Sequence, residues 1–431
     1  MRSERRFPLD DADSFKSGLL NWAATLGDFC WLDSNGHTDP LGRFDGLMGI
    51  GKAAELQSSA RGAFEALRAF REQTGDWVLG YLGYDLKNDL EELESGNPDR
   101  MKFPDLFVFQ PEKIIEIRGG QAVFRYLPRA VGEIESDRKA IADAPRELAD
   151  APNRRLRTRM GIFKEAYFRA AAKLLAAIHR GDFYEVTFCQ EFFVEEAHLD
   201  VAATYRRLNA ISQAPFAAWM QFGSRSILSA SPERYLCKRG ATVWSQPMKG
   251  TARRDPSPET DRQLALNLQA DPKERAENIM IADLVRNDLS RSALRGSVRV
   301  DGLCELRTYE QVHQLISTIR AKVPGEIDPV QLLQDTFPMG SMTGAPKISA
   351  MQHIESRESF KRGAYSGALG YMTPDGDFDF NVLIRSLFYD ASRGVASFPV
   401  GGALTAAATP EAEYEECLLK ARAMRQVLEG D

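Results

Sequence analysis

Apolar residues crowd the runs Trp77-Val78-Leu79-Gly80-Tyr81-Leu82-Gly83-Tyr84 and Leu106-Phe107-Val108-Phe109, which read as strands. Further strand signals lie at 225–229, 234–238 and 242–245. Their short, turn-separated spacing predicts antiparallel pairing rather than regular strand–helix–strand units. The run FNVLIRSLFY (380–389) is β-branched and aromatic, the pattern of one buried strand. Two helices have clear starts. Asp271-Pro272-Lys273-Glu274 supplies a cap, a first-turn proline and a glutamate three residues on, followed by Ala276, Met280, Ile281, Leu284 and Val285 on roughly one face. Thr409-Pro410-Glu411 opens the second, with Leu418, Leu419, Ala421 and Met424 expected to face inward. Together these predict an α+β fold with large antiparallel sheets and helices on their outer faces. Pro128, Pro145, Pro152 and the run Asn153-Arg154-Arg155 punctuate a polar stretch. The expected division is an N-terminal subdomain, 1–150, packed on a catalytic domain, 155–431.

Composition narrows the function class. The chain has 431 residues, with 55 Lys and Arg against 61 Asp and Glu, a net charge of -6. That balance argues against nucleic acid or an anionic membrane as partner. No apolar run reaches the roughly 18 residues of a membrane span. The opening MRSERRFPLDD has no apolar stretch behind its basic residues, so no signal peptide is expected. Cys30, Cys189, Cys237, Cys304 and Cys417 are scattered and form no C-x-x-C. Neither a disulfide framework nor a zinc site follows, and a reducing, cytoplasmic setting is expected.

Four constellations could carry chemistry. Glu274 and Glu277 are three apart on one helix, as are Glu413 and Glu416 on the other. Like charges so placed repel unless a cation relieves them, and Mg²⁺ favours oxygen ligands. Two solvated acidic first turns would read the same way. Lys249, between a strand signal and Gly250, is either a surface lysine or an amine that could become a nucleophile. The loop 337–347 has two glycines and could hold an anion, but it is not a nucleotide P-loop. Arg385, in the 380–389 run, needs a partner if buried: an internal acid or a substrate carboxylate. His313 stands alone on an expected strand.

Ordered motifs over about the last 270 residues resemble the chorismate-utilising enzymes. They are GDFYEVTFCQEF (181–192), SPERYL (231–236), PMKGTARR (247–254), AENIMIADLVRNDL (276–289), GSMTGAPKISAM (340–351), RGAYSGALGY (362–371), IRS (384–386) and PEAEYEECLLKARA (410–423). The resemblance implies the family's chorismate-binding fold. It implies Glu277 and Glu416 as Mg²⁺ ligands, with Glu274 and Glu413 holding metal-bound water. It implies Tyr365, Arg385 and the backbone of Gly401 as contacts to the enolpyruvyl carboxylate. Thr343, His313 and Gly250 would line the substrate pocket, and Glu233 would protonate the departing C4 hydroxyl.

Within the family, members resembling anthranilate synthase carry Ala where this chain has Lys249, whereas the aminodeoxychorismate-forming pattern is P-I-K-G-T. Here the segment is Pro247-Met248-Lys249-Gly250-Thr251. The resemblance therefore implies amination of chorismate at C4 through a Lys249 adduct at C2, giving 4-amino-4-deoxychorismate for 4-aminobenzoate and folate. Formation of anthranilate is the alternative. Isochorismate synthases carry a Lys that activates water where this chain has Glu185, and aminating members usually read Gln-Val-Asn where it has Glu185-Val186-Thr187. No cysteine has a G-x-C-x-G setting, so ammonia is expected from a separate glutamine amidotransferase subunit or from solution. Some relatives hold tryptophan in the N-terminal part.

Overall fold

Neighbouring residues on the central strands serve different cores. Along Phe216–Phe222, Ala218, Met220 and Phe222 join one apolar cluster while Trp219 joins the other. Along Phe29–Asp33, Cys30 faces the first cluster, and Phe29 and Trp31 face the second. That period-two division is what a sheet covered on both faces requires. The computed structural model describes residues 2–145, 156–310 and 312–430. Among these, twenty strands join one hydrogen-bonded network, and its pairings are antiparallel. Helices Ala63–Thr74, Pro272–Ser290 and Pro329–Thr336 pack into the first core. Helices Ala12–Ala24, Lys164–Arg180, Val201–Ser212 and Pro410–Glu429 pack into the second. The α+β class with antiparallel sheets follows from the sequence pattern as expected.

Strands from the N-terminal part pair directly with later ones. Phe29–Asp33 pairs with Phe216–Phe222, and Val78–Leu82 pairs with Ala368–Met372. The expected boundary falls partly outside the described residues, Pro152 and Asn153-Arg154-Arg155 included.

Three local expectations need correction. FNVLIRSLFY is not one strand: Phe378–Val382 and Ser386–Asp390 are separate, and Arg385 between them has φ 50°. Left-handed backbone cannot continue a pleat, so alternation does not set the direction of this arginine. Leu419 is exposed, whereas Tyr414, Cys417, Ala421 and Met424 form the inner face of its helix. Ala276 is exposed too, while Glu277 and Asn278 on the same helix are buried. All five cysteines are free and buried.

Candidate active site

The helix Pro272–Ser290 begins as expected: Asp271 accepts hydrogen bonds from the backbone N–H groups of Lys273 and Glu274. Thr409 caps Pro410–Glu429 by accepting from Ala412 N–H. The N-terminal halves of the two capped helices meet at one cavity. Lining it are Glu274 and Glu277 from one helix, Glu416 and Lys420 from the other, and Glu233, Lys249, Gly250, Tyr365, Arg385 and Gly401. Thr187, Gln314, Ser341 and Met342 complete much of the wall.

Lys249 lies on the strand Met248–Arg253. Its Nζ is 2.8 Å from the carboxylate of Glu185, which is fully buried. Burial alone would lower the Lys249 amine, but Glu185 and then Glu277 outweigh it and hold the amine above its ordinary value. Burial pushes the Glu233 carboxyl up to about 7, against the pull of Ser341 and Lys249. Glu233 and Lys249 thus line one small volume, the carboxyl favoured neutral and the amine favoured charged. Such perturbed groups in a cleft mark a reactive site.

Arg385 lines the same cavity, and among the described residues no acid lies within 4.0 Å of its guanidinium. Burial pulls it below its ordinary value, with Tyr365 and Glu416 acting the other way. A guanidinium stays charged in proteins, so Arg385 is a ready receptor for a ligand carboxylate. Of the two partners its sequence left open, the internal acid is the one missing.

Burial, more than mutual repulsion, disfavours the charged form of three of the glutamates. Burial pushes Glu277 up to about 7, and burial also raises Glu274 and Glu413. Glu416 is held low despite burial, because Lys420 Nζ lies 2.6 Å away. Lys273 bridges the helices, 3.3 Å from Glu413 and 3.8 Å from Glu277. Glu413 Oε2 is buried with no hydrogen-bond partner. Among the described residues no three His, Cys, Asp or Glu side chains stand close enough to cage an ion unaided. Mg²⁺ needs no such cage, since it keeps waters and takes one or two protein carboxylates. This oxygen-rich, under-neutralised set fits a hard divalent cation.

Glycine geometry is tight where it matters. A Cβ on Gly401 would stand 2.3 Å from Cys189 Sγ and 2.7 Å from the Phe188 carbonyl oxygen, and its own carbonyl accepts from Lys420 at 2.9 Å. Gly250 has φ 86° against Glu274.

Other expected site residues stand behind the wall. Glu413 is buried and does not itself line the cavity. His313 is 2% exposed and held between Thr308 and Asp261, at 2.9 and 3.0 Å. On its strand the neighbouring Gln314 faces the cavity instead. Thr343 is buried with its hydroxyl donating to the Met339 and Gly340 carbonyls, while Ser341 and Met342 take the lining positions. Sequence reading missed Glu185 as a partner of Lys249, and it missed Lys420. The i,i+4 spacing of Glu416 and Lys420 was the available signal for the second.

The family described as chorismate binding enzyme matches residues 27–426. This chain belongs to it. Among related chorismate-binding enzymes, aminodeoxychorismate synthase component 1 from Klebsiella aerogenes is 34% identical over 82% of this chain and 77% of its own length. The probable chloroplastic aminodeoxychorismate synthase of Oryza sativa is 40% identical over 62% of this chain, which spans only 30% of that relative. Anthranilate synthase component 1 from Thermus thermophilus is 32% identical over 89% of this chain and 86% of its own length. The solved anthranilate synthase component I from Streptococcus pneumoniae superimposes with a TM-score of 0.77 at 24% identity, covering 90% of this chain and 93% of that one. The two chains share one fold.

Proposed function

We propose that this chorismate-binding enzyme aminates chorismate at C4 with ammonia, giving 4-amino-4-deoxychorismate. The observation that carries the reading is Lys249 and Glu233 lining one cavity with an acid-free Arg385. Arg385 and Tyr365 hold the enolpyruvyl carboxylate, and Gly401, which has no room for a side chain, lets the backbone approach it. Glu277 and Glu416 would hold Mg²⁺, with Glu274 and Glu413 on its waters; the ion would neutralise the glutamates against the ring carboxylate and polarise it. Lys249 attacks ring C2, and Glu233, favoured in its acid form up to about pH 7, gives its proton to the leaving C4 hydroxyl. Ammonia then adds at C4 and expels the lysine. Relatives named aminodeoxychorismate synthase support this choice.

Ammonia comes from a separate glutamine amidotransferase subunit. Supporting this, the five cysteines are buried and burial raises each thiol, so none is set up as a glutaminase nucleophile. Free thiols also suit a cytoplasmic setting. Anthranilate formation is the second reading, favoured by the match to the Thermus thermophilus enzyme.

Purified chain incubated with Mg²⁺, ammonium and chorismate is expected to yield 4-amino-4-deoxychorismate by mass spectrometry, and 4-aminobenzoate once a lyase that removes the pyruvate is added. Direct release of anthranilate would reverse the assignment. Lys249→Ala should abolish most amination while leaving chorismate binding intact.

A further inference from the structure

Glu185 plays no part in the reaction just described, yet its placement is unusual. Its strand, Glu185–Val194, is buried along its whole length. Thr405 lies directly opposite Glu185, and Ala403 opposite Thr187. Opposed and alternate residues share one face of a sheet, and Thr187 and Ala403 line the cavity, so Glu185 belongs to the cavity side. There its carboxylate meets Lys249 Nζ at 2.8 Å. Beyond that ion pair, neither of its oxygens has a hydrogen-bond partner among the described residues. A carboxylate buried with one partner is costly to keep.

An ammonium has no free electron pair, so Lys249 must shed a proton before it can bond to carbon. The proton acceptor must stand within hydrogen-bond reach, about 2.6–3.2 Å. Among the described residues Glu185 is the sole carboxylate within 4.0 Å of this amine; Glu277 and Glu416 act on it from farther away.

We infer that Glu185 takes the proton from Lys249 Nζ as the amine attacks, and returns it when the amine is expelled. The inference rests on the nucleophilic reading of Lys249. In the first half, an Nζ–H bond breaks and the proton passes to Glu185. The freed electron pair forms the Nζ–C2 bond, the ring double bonds shift, and the C4–O bond breaks. Hydroxide leaves as water with the proton of Glu233. In the second half, ammonia bonds to C4 and the Nζ–C2 bond breaks. Glu233 takes back one proton from the new C4 ammonium, and Glu185 returns its own to Lys249. The sum is chorismate plus ammonia giving the aminated product plus water.

The test follows one turnover. Wild type, Glu185→Gln and Glu185→Asp are mixed with chorismate and Mg²⁺ without ammonium, quenched in acid, and the Lys249 adduct is followed by intact-mass spectrometry. Chorismate affinity is measured by calorimetry and folding by the thermal midpoint. Glu185→Gln should slow adduct formation by ~100-fold or more with binding retained, the size of a lost general base. Glu185→Asp, with its carboxylate drawn back by one methylene, should fall in between. If Glu185 only pairs with the ammonium, Gln would release the amine and the adduct would form as fast or faster, which overturns the inference. Should the Gln variant not fold, wild-type speed in the Asp variant overturns it equally. A wild-type enzyme that aminates chorismate without any adduct would instead remove the Lys249 reading, and this inference with it.

Discussion

Burial decides what Glu233 can do in the cavity, whereas charged neighbours decide for Lys249 and Glu416. Glu233 is pushed up to about 7, so it keeps its proton through the range where an ordinary carboxyl has lost it. Adduct formation in the absence of ammonium should therefore fall about tenfold per pH unit above about 7, where the acid form declines. Glu233→Gln should flatten that limb and slow the step by ~100-fold or more; quenched-flow rates from pH 6 to 9 check both. The sign for stability is the reverse of the usual carboxylate. A folded-state value raised above the unfolded one stabilises the fold at low pH, and that contribution fades between about 4.3 and about 7. Arg385 should be intolerant even of Lys. Losing the planar fork should raise KM for chorismate by ~10-fold or more, in steady-state kinetics, with a smaller change in kcat. Such residue types were legible because each motif stands alone in sequence. The contrast between His313 and Gln314 was not, because one step along a strand reverses the face and only register settles which residue meets the cavity.

At the scale of elements, the two acidic helices were legible from their caps, and the caps place the glutamates. Asp271→Ala removes the acceptor for two backbone N–H groups at the start of Pro272–Ser290. The expected loss is about 1 kcal/mol, seen as a lower urea midpoint at unchanged slope. The 380–389 run taught the opposite lesson. Most of its residues are β-branched, aromatic or leucine, so composition predicts continuity. The break comes from Arg385 at φ 50°, fixed by contacts distant in sequence: its carbonyl accepts from Ala230 N–H, and Leu383 N–H donates to the Gly367 carbonyl. Tertiary hydrogen bonds overrode local propensity there.

At the scale of the molecule, the sheet ties early and late segments together. Met48, Ile115 and Phe124 share a core with Phe188, Leu404 and Cys417. Proline-rich punctuation gave a boundary near 150 but could not register strand pairing across it. A fragment of residues 156–431 would lose one of the two strands paired with Phe216–Phe222 and one of the two paired with Ala368–Met372. It should bind a dye specific for exposed apolar surface and lack near-ultraviolet circular dichroism, whereas the full chain should unfold in one cooperative step. Independent folding of the fragment with chorismate binding would refute this.

The thiols supply a built-in gauge of that cooperativity. With Cys189 pushed up to about 12 and Cys417 to about 11 by burial, and every sulfur shielded, alkylating reagents find nothing to modify while the sheet is closed. Maleimide uptake would therefore register opening events alone, and the order in which the five positions gain mass would map which strands part first, and whether the helix that carries Cys417 opens before them.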